Sequence, residues 1–194
     1  MLREFFMATT SAVSICNNAL AQLGANAIHS LQDESHEAAY CATFYEHARR
    51  SCLEKHAWNF AILRVELPPN AAKPLFQYTY QFTLPADCLR ILTVNDDPKY
   101  NSEGRRIVTD RSTCFLKYVA DVADSSTWSQ GFIDFLTARM RFDLAYPITK
   151  SADQQSIAQS LMERALQQAR LIDSSEDIMD DFGPYGSSLI SARY

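Results

Sequence analysis

The run His36-Glu37-Ala38-Ala39-Tyr40 is the most enzyme-like string in this sequence. It opens like H-E-x-x-H, in which two histidines one helical turn apart share a zinc ion. Tyr40 stands where the second histidine is required, so the run reads as the charged first turn of a helix. There Asp33, Glu34 and Glu37 favour the positive end of the helix dipole. The other histidines do not complete a metal site. On one helix His36 and His47 would share a face but lie some 16 Å apart along the axis, and His47 and His56 would point to opposite sides.

Nucleophiles fare no better. Cys16, Cys41, Cys52, Cys88 and Cys114 are an odd number and form no C-x-x-C pair. They predict reduced core residues of a chain made in a reducing cytoplasm. Cys41 and Cys52 fall on an apolar helical stripe, where nothing lowers a thiol pKa. No G-x-S-x-G, S-x-x-K or glycine-rich phosphate loop occurs. Glycan cleavage needs two carboxylates facing across a cleft, and among 23 acids some pair always fits. The more specific phage-lysozyme spacing, Glu, eight residues, Asp, five residues, Thr, does not occur. The residues predict no catalytic, cofactor or metal site.

Aromatic residues are the other conspicuous group, with 9 Tyr, 11 Phe and 2 Trp. Strand alternation would put Phe76, Tyr78, Tyr80 and Phe82 on one face. That face reads first as a half-buried sheet packed on helices, and second as a ligand platform on a small binding module. Stacking on nucleic-acid bases would also need basic neighbours, and only Lys73 is close. Arg139 and Arg141 read as a solvated face or a subunit contact.

These side chains must be carried by helices at both ends and strands between. Ser11 or Thr10 can cap a first helix with the stripe Ile15, Cys16, Ala19, Leu20 and Leu23, stopped by Gly24. A longer helix starts near Asp33 or Ser35 and runs to about Lys55, with Cys41, Phe44, Ala48 and Cys52 inside. Asn59–Leu67, Tyr78–Leu84, Leu89–Val94, Arg106–Val108 and Cys114–Val119 read as strands. Asn95–Pro98 and Asn101–Gly104 read as turns. Phe132, Leu136, Met140 and Leu144 mark a third helix stopped by Pro147. A fourth opens at Ser151 or Asp153 with Ile157, Leu161, Ala165, Ala169 and Ile172 inside. The expected class is α+β: a bundle of two helix pairs with a small inserted β-sheet subdomain and an extended C-terminal arm. The boundaries are 1–58 and 126–173 for the helix pairs, 59–125 for the β subdomain and 174–194 for the arm.

Composition fits a folded chain, with 47% hydrophobic and 21% charged residues. The longest apolar run is only a few residues, too short to span a membrane. Residues 1–10 carry an acid beside their base, unlike a signal peptide, and Met7 reads as a natural start preceded by an extension. The net charge of −5 is uneven. Residues 173–194 hold Asp173, Glu176, Asp177, Asp180 and Asp181 against Arg193, leaving a nearly balanced body without the basic face of a nucleic-acid binder. The arm also carries Phe182, Tyr185, Leu189, Ile190 and Tyr194, with Gly183, Pro184 and Gly186 to turn the backbone. Such a composition cannot bury a core of its own and predicts docking on a partner.

Four passages together resemble tail tubular protein A, the head-to-tail adaptor (gatekeeper, connector) family of short-tailed bacteriophages. They are Ile15–Gly24; Ser30–Ser35 with His56-Ala-Trp-Asn-Phe-Ala61; Tyr78-x-Tyr80-x-x-x-Leu84-Pro85-x-Asp87-Cys88-Leu89-Arg90 with Leu116–Val122; and Ala165-x-x-x-Ala169-Arg-x-Ile-Asp173. The resemblance covers about residues 14–173 and rests on their order and spacing. It implies a structural virion protein, assembled in the host cytoplasm into a twelve-subunit ring at the head–tail junction. That ring lies between the portal protein and the tail nozzle (tail tubular protein B-like), and double-stranded DNA passes through it without sequence-specific binding. The apolar groups of the arm are then the expected contacts to the portal or a neighbouring subunit. Some relatives have been described as peptidoglycan or polysaccharide hydrolases, which is the alternative reading.

Overall fold

The computed structural model describes residues 11–95 and 99–176. Helix α1 (Ala12–Ala21) begins at Ser11, whose hydroxyl accepts from Ser14 N while Ser14 Oγ accepts from Ser11 N. This reciprocal cap satisfies two otherwise orphaned amides. Past the last turn, Ala25 N donates to Leu20 O and Gly24 N to Ala21 O, with Gly24 at φ +71°. That left-handed turn is the reason a glycine stands there. Helix α2 (His36–Lys55) is capped by the Ser35 hydroxyl on Ala38 N.

A 3-10 turn over Asn59–Ala61 leads into strand β1 (Ile62–Leu67). Strands β2 (Tyr80–Thr83), β3 (Cys88–Val94), β4 (Asn101–Glu103), β5 (Arg106–Thr109) and β6 (Cys114–Ala120) follow. Helices α3 (Gln130–Thr149) and α4 (Ala152–Glu176) complete the described chain. The fold is α+β, with four helices and two three-stranded antiparallel sheets. One sheet has the order β1-β6-β3 and the other β2-β5-β4.

The two sheets close on one apolar cluster that includes Leu67, Phe82, Val94, Ile107, Leu116 and Tyr118. They form a small sandwich. A second, larger cluster fills the helical bundle, with Ile15, Leu20, Leu53, Trp58, Phe132 and Leu136 among its fully buried members. Val119 belongs to that bundle core, and half-buried Leu89 and Leu92 pack against it. Alternation along the central strand therefore feeds both cores: Leu116 and Tyr118 face the other sheet while Val119 faces the helices. Helix α3 is the hub of the bundle and packs against α1, α2 and α4.

Several expectations are corrected. Residues 59–61 are a 3-10 turn, so β1 starts later than the strand-like composition suggests. Asn101–Glu103 is not a turn but strand β4, paired with β5 through a two-residue loop led by Gly104 at φ +61°. Pro147 does not stop α3, which continues to Thr149 and closes on Lys150 in the left-handed region. A proline so near a helix end costs little more than one backbone bond, and half-buried Ile148 packs against the bundle core. Helix α4 continues to Glu176, three residues past the expected boundary at 173.

On α4 the expected stripe turns inward only in part, at buried Ala169 and half-buried Ala165. Ile157, Leu161 and Ile172 are exposed, whereas Ala158, Ala169 and Asp173 are buried and Met162 and Leu166 pack against the core. A four-residue spacing drifts about 40° per step around a 3.6-residue helix, so the chosen stripe walks off the buried side. Helix α4 instead approaches α3 through small residues: a Cβ on Gly131 would lie 3.3 Å from the Cα and Cβ of Ala169.

Candidate functional site

The sandwich joins the bundle at a polar seam. Arg49 is almost fully buried on α2, within the apolar arc of Ala38, Tyr45 and Leu53. Its Nη1 donates to Asp121 Oδ1 at 2.6 Å and to the Val122 carbonyl at 3.1 Å, and its Nη2 to Glu46 Oε2 at 2.9 Å. Arg50 Nε donates to the other oxygen of Asp121 at 2.7 Å. Burial alone would raise the Asp121 carboxyl, but hydrogen bonds from both arginines outweigh it and hold the group below the ordinary carboxylate value. The cluster clamps α2 to the end of β6. Every charged side chain in it has a protein partner, as in a structural joint.

A second tie lies at the same end of the bundle. Asp173, on the last turns of α4, is buried and accepts from His56 Nε2 at 2.9 Å and from Asn59 N at 3.3 Å. Asn59 Nδ2 donates in turn to the Asp173 carbonyl at 3.0 Å. Beside His56 sits Trp58, fully buried, with its indole N–H on the Cys52 carbonyl at 3.0 Å. Its ring meets Phe132 edge-on at 5.2 Å.

The chemistry-bearing residues singled out in the sequence are dispersed. His36 is exposed in the first turn of α2, with Glu37 and Tyr40 half-buried beside it. All five cysteines are buried and unpaired. Burial pushes the Cys114 thiol up to about 11 and raises those of Cys52 and Cys88. The hydrogen bond to Cys41, together with burial, drives Cys16 above the ordinary thiol range. Thiols held protonated in this way are poor nucleophiles; Cys41 departs from the expectation, since its hydrogen bond with Cys16 lowers it. Among the described residues no three His, Cys, Asp or Glu side chains gather as metal ligands, and no helix is long and apolar enough to cross a membrane.

The single aromatic face dissolves. Gln77 adopts φ +69° and Tyr78 N bonds back to Phe76 O, so the chain turns before β2 begins. Phe76 is exposed, Tyr80 half-buried and Phe82 fully buried in the sandwich. Arg139 pairs with Asp143 at 2.8 Å and Arg141 donates to Gln22 Oε1 at 3.2 Å. Phe182, Tyr185, Leu189, Ile190 and Tyr194 lie outside the described residues.

What the described surface offers includes uncovered apolar groups and a groove with two cations on facing strands. Helix α4 exposes Ile157, Leu161, Leu171 and Ile172, and the loop before β2 exposes Leu75 and Phe76. On the outer face of the first sheet, a groove of about 440 Å³ runs between Arg64, Glu66, Thr93, Asn95, Phe115 and Lys117. Arg64 and Lys117 are directly opposite each other across β1 and β6. Sequence reasoning missed the seam and this groove. A charged residue inside the apolar arc of α2 was a usable signal for Arg49, whereas the Arg64–Lys117 juxtaposition depends on strand register. Compared with protein-family models and with the curated proteins, the chain matches none.

Proposed function

We propose that this chain is a structural head-to-tail adaptor of a short-tailed phage virion, one subunit of a twelve-membered ring between portal and tail nozzle. The observation that carries this reading is the convergence of the passages that resemble the family. His56 and Asn59 from the second passage bind Asp173 from the fourth. Asp87 and Tyr118, from the two halves of the third, are hydrogen-bonded at 3.3 Å. Residues far apart in the chain thus cooperate in one scaffold, and their chemistry is that of joints.

Assembly into a ring is supported by the two apolar surfaces. A closed ring joins unlike faces head to tail, and the α4 strip and the Leu75–Phe76 tip are two such faces. The apolar groups between Phe182 and Tyr194 would grip the portal or the next subunit, with many weak arms adding to a strong attachment. DNA would pass a ring whose subunits each carry a net charge of −5, so no excess of cations retains phosphates.

The test is to mix the pure chain with purified portal and image the complex end-on. Twelve subunits of 21.9 kDa add about 263 kDa to the portal. A chain that never joins the portal, or a complex without twelve-fold symmetry, refutes the proposal.

A further inference from the structure

Four strands form the edges of the two sheets, and three of them carry devices that discourage pairing with another chain. Strand β4 is only three residues long. Strand β3 is irregular in register against β6 at two places. The free side of β2 is met by the chain that follows β1, with Pro69 bridged to Phe82 and Asn70 N donating to the Gln81 carbonyl. Strand β1 differs from all three. Its six residues pair with β6 without a break, and its other side has no strand partner among the described residues.

The residues along that edge are suited to one kind of neighbour. Leu63 and Val65 lie opposite Tyr118 and Leu116 and so point to the sandwich side, yet they stay 45% and 36% exposed. Arg64 and Glu66 are exposed on the other face. The run Leu63-Arg64-Val65-Glu66-Leu67 is symmetric in character about Val65, with opposite charges at mirror positions. Laid antiparallel beside a copy of itself with Val65 opposite Val65, it sets Arg64 opposite Glu66 and Leu63 opposite Leu67. Edge charges that ordinarily keep strands apart thus attract a second copy. Pro68 and Pro69 stop the ladder just beyond Leu67.

We infer that β1 is a self-recognition edge, through which two copies of this chain pair antiparallel over Leu63–Leu67 with Val65 on the two-fold axis. Arg64 of each copy meets Glu66 of the other, and the two β1-β6-β3 sheets become one sheet of six strands. A second copy is the favoured occupant because the match of charge and apolar character is built into the strand itself. With five residues a side, against roughly 20–30 in a standard interface, the pairing is weak and reversible. It closes at two copies, so it is separate from the head-to-tail faces of a ring, and the inference does not rest on the adaptor reading.

Sedimentation of the full chain over a concentration series tests this. Wild type should shift towards dimer at high micromolar concentration. Arg64→Glu or Glu66→Arg alone places like charges in contact twice per dimer and should weaken association about tenfold. Mixed in equal amounts, the two variants regain both attractions and should form a heterodimer of near wild-type strength. Should either variant fail to fold, Val65→Cys gives a second measurement. With a copper–phenanthroline oxidant it should form a disulfide-linked dimer, the native cysteines being buried. Leu63→Cys should not, since its two copies lie roughly 13 Å apart along the strands in this register. A chain that stays monomeric, as it would with its own termini covering β1, overturns the inference. So does a dimer indifferent to the charge substitutions, a mixture of folded variants that fails to associate, or equal linkage at positions 63 and 65.

Discussion

Replacing Trp58 with alanine should be among the most damaging single changes in this chain. The side chain is fully buried where α2 hands over to β1, and its ring lies 5.2 Å from Phe132, 6.2 Å from Phe135 and 4.9 Å from His56. Truncation of a buried tryptophan costs about 3–5 kcal/mol in lost transfer energy and residual cavity. It also strips the Cys52 carbonyl of its indole donor. Against a typical stability of about 5–15 kcal/mol, that is a large fraction. For a chain of this size, each kcal/mol corresponds to roughly 2–4 °C, so the melting temperature should fall by roughly 6–20 °C. Calorimetry of wild type, Trp58→Ala and Trp58→Phe measures this, with Trp58→Phe losing only the hydrogen bond and part of the volume, about 1–2 kcal/mol. A Trp58→Ala variant that melts within a degree or two of wild type refutes the reasoning that this joint anchors the sandwich on the bundle.

Asp121→Ala should cost about 3 kcal/mol, because it leaves buried Arg49 without its main partner; urea titration checks this. The lowered Asp121 pKa means that its contribution is present above the unfolded carboxylate value, near 3.8, and is lost as pH falls through the folded value. Melting in acid should accordingly be less pH-dependent in Asp121→Asn than in wild type. Gly131→Val should wedge α3 from α4, since even a Cβ meets Ala169 at 3.3 Å, and cost about 1–3 kcal/mol in a denaturation curve. Leu171→Lys with Ile172→Lys should leave the monomer's melting temperature almost unchanged, both sites being well exposed, yet prevent ring formation on the portal by electron microscopy. Pure chain incubated with peptidoglycan or capsular polysaccharide should release no reducing sugar, and steady turnover abolished by one carboxylate substitution would favour the hydrolase reading instead.

The sequence by itself determined what local chemistry decides. Ser11, Ser35 and Gly24 mark helix ends because their side chains, or the lack of one, serve the backbone groups beside them. The straight stripes of α1, α2 and α3 show which faces turn inward, and β-branched and aromatic runs locate most strands. Tertiary structure decided the rest. Helix α4 turned its small residues inward because Gly131 lets it approach α3 closely, a preference invisible to a count of large apolar groups. Asn101–Glu103 became a strand through pairing with β5, against its turn-like composition. The burial of Arg49 and Asp173 draws on partners 72 and 114 or more residues away, which help make charge tolerable in a core. The Arg64–Lys117 groove exists only through the register of β1 on β6, because pairing sets which side chains share a face.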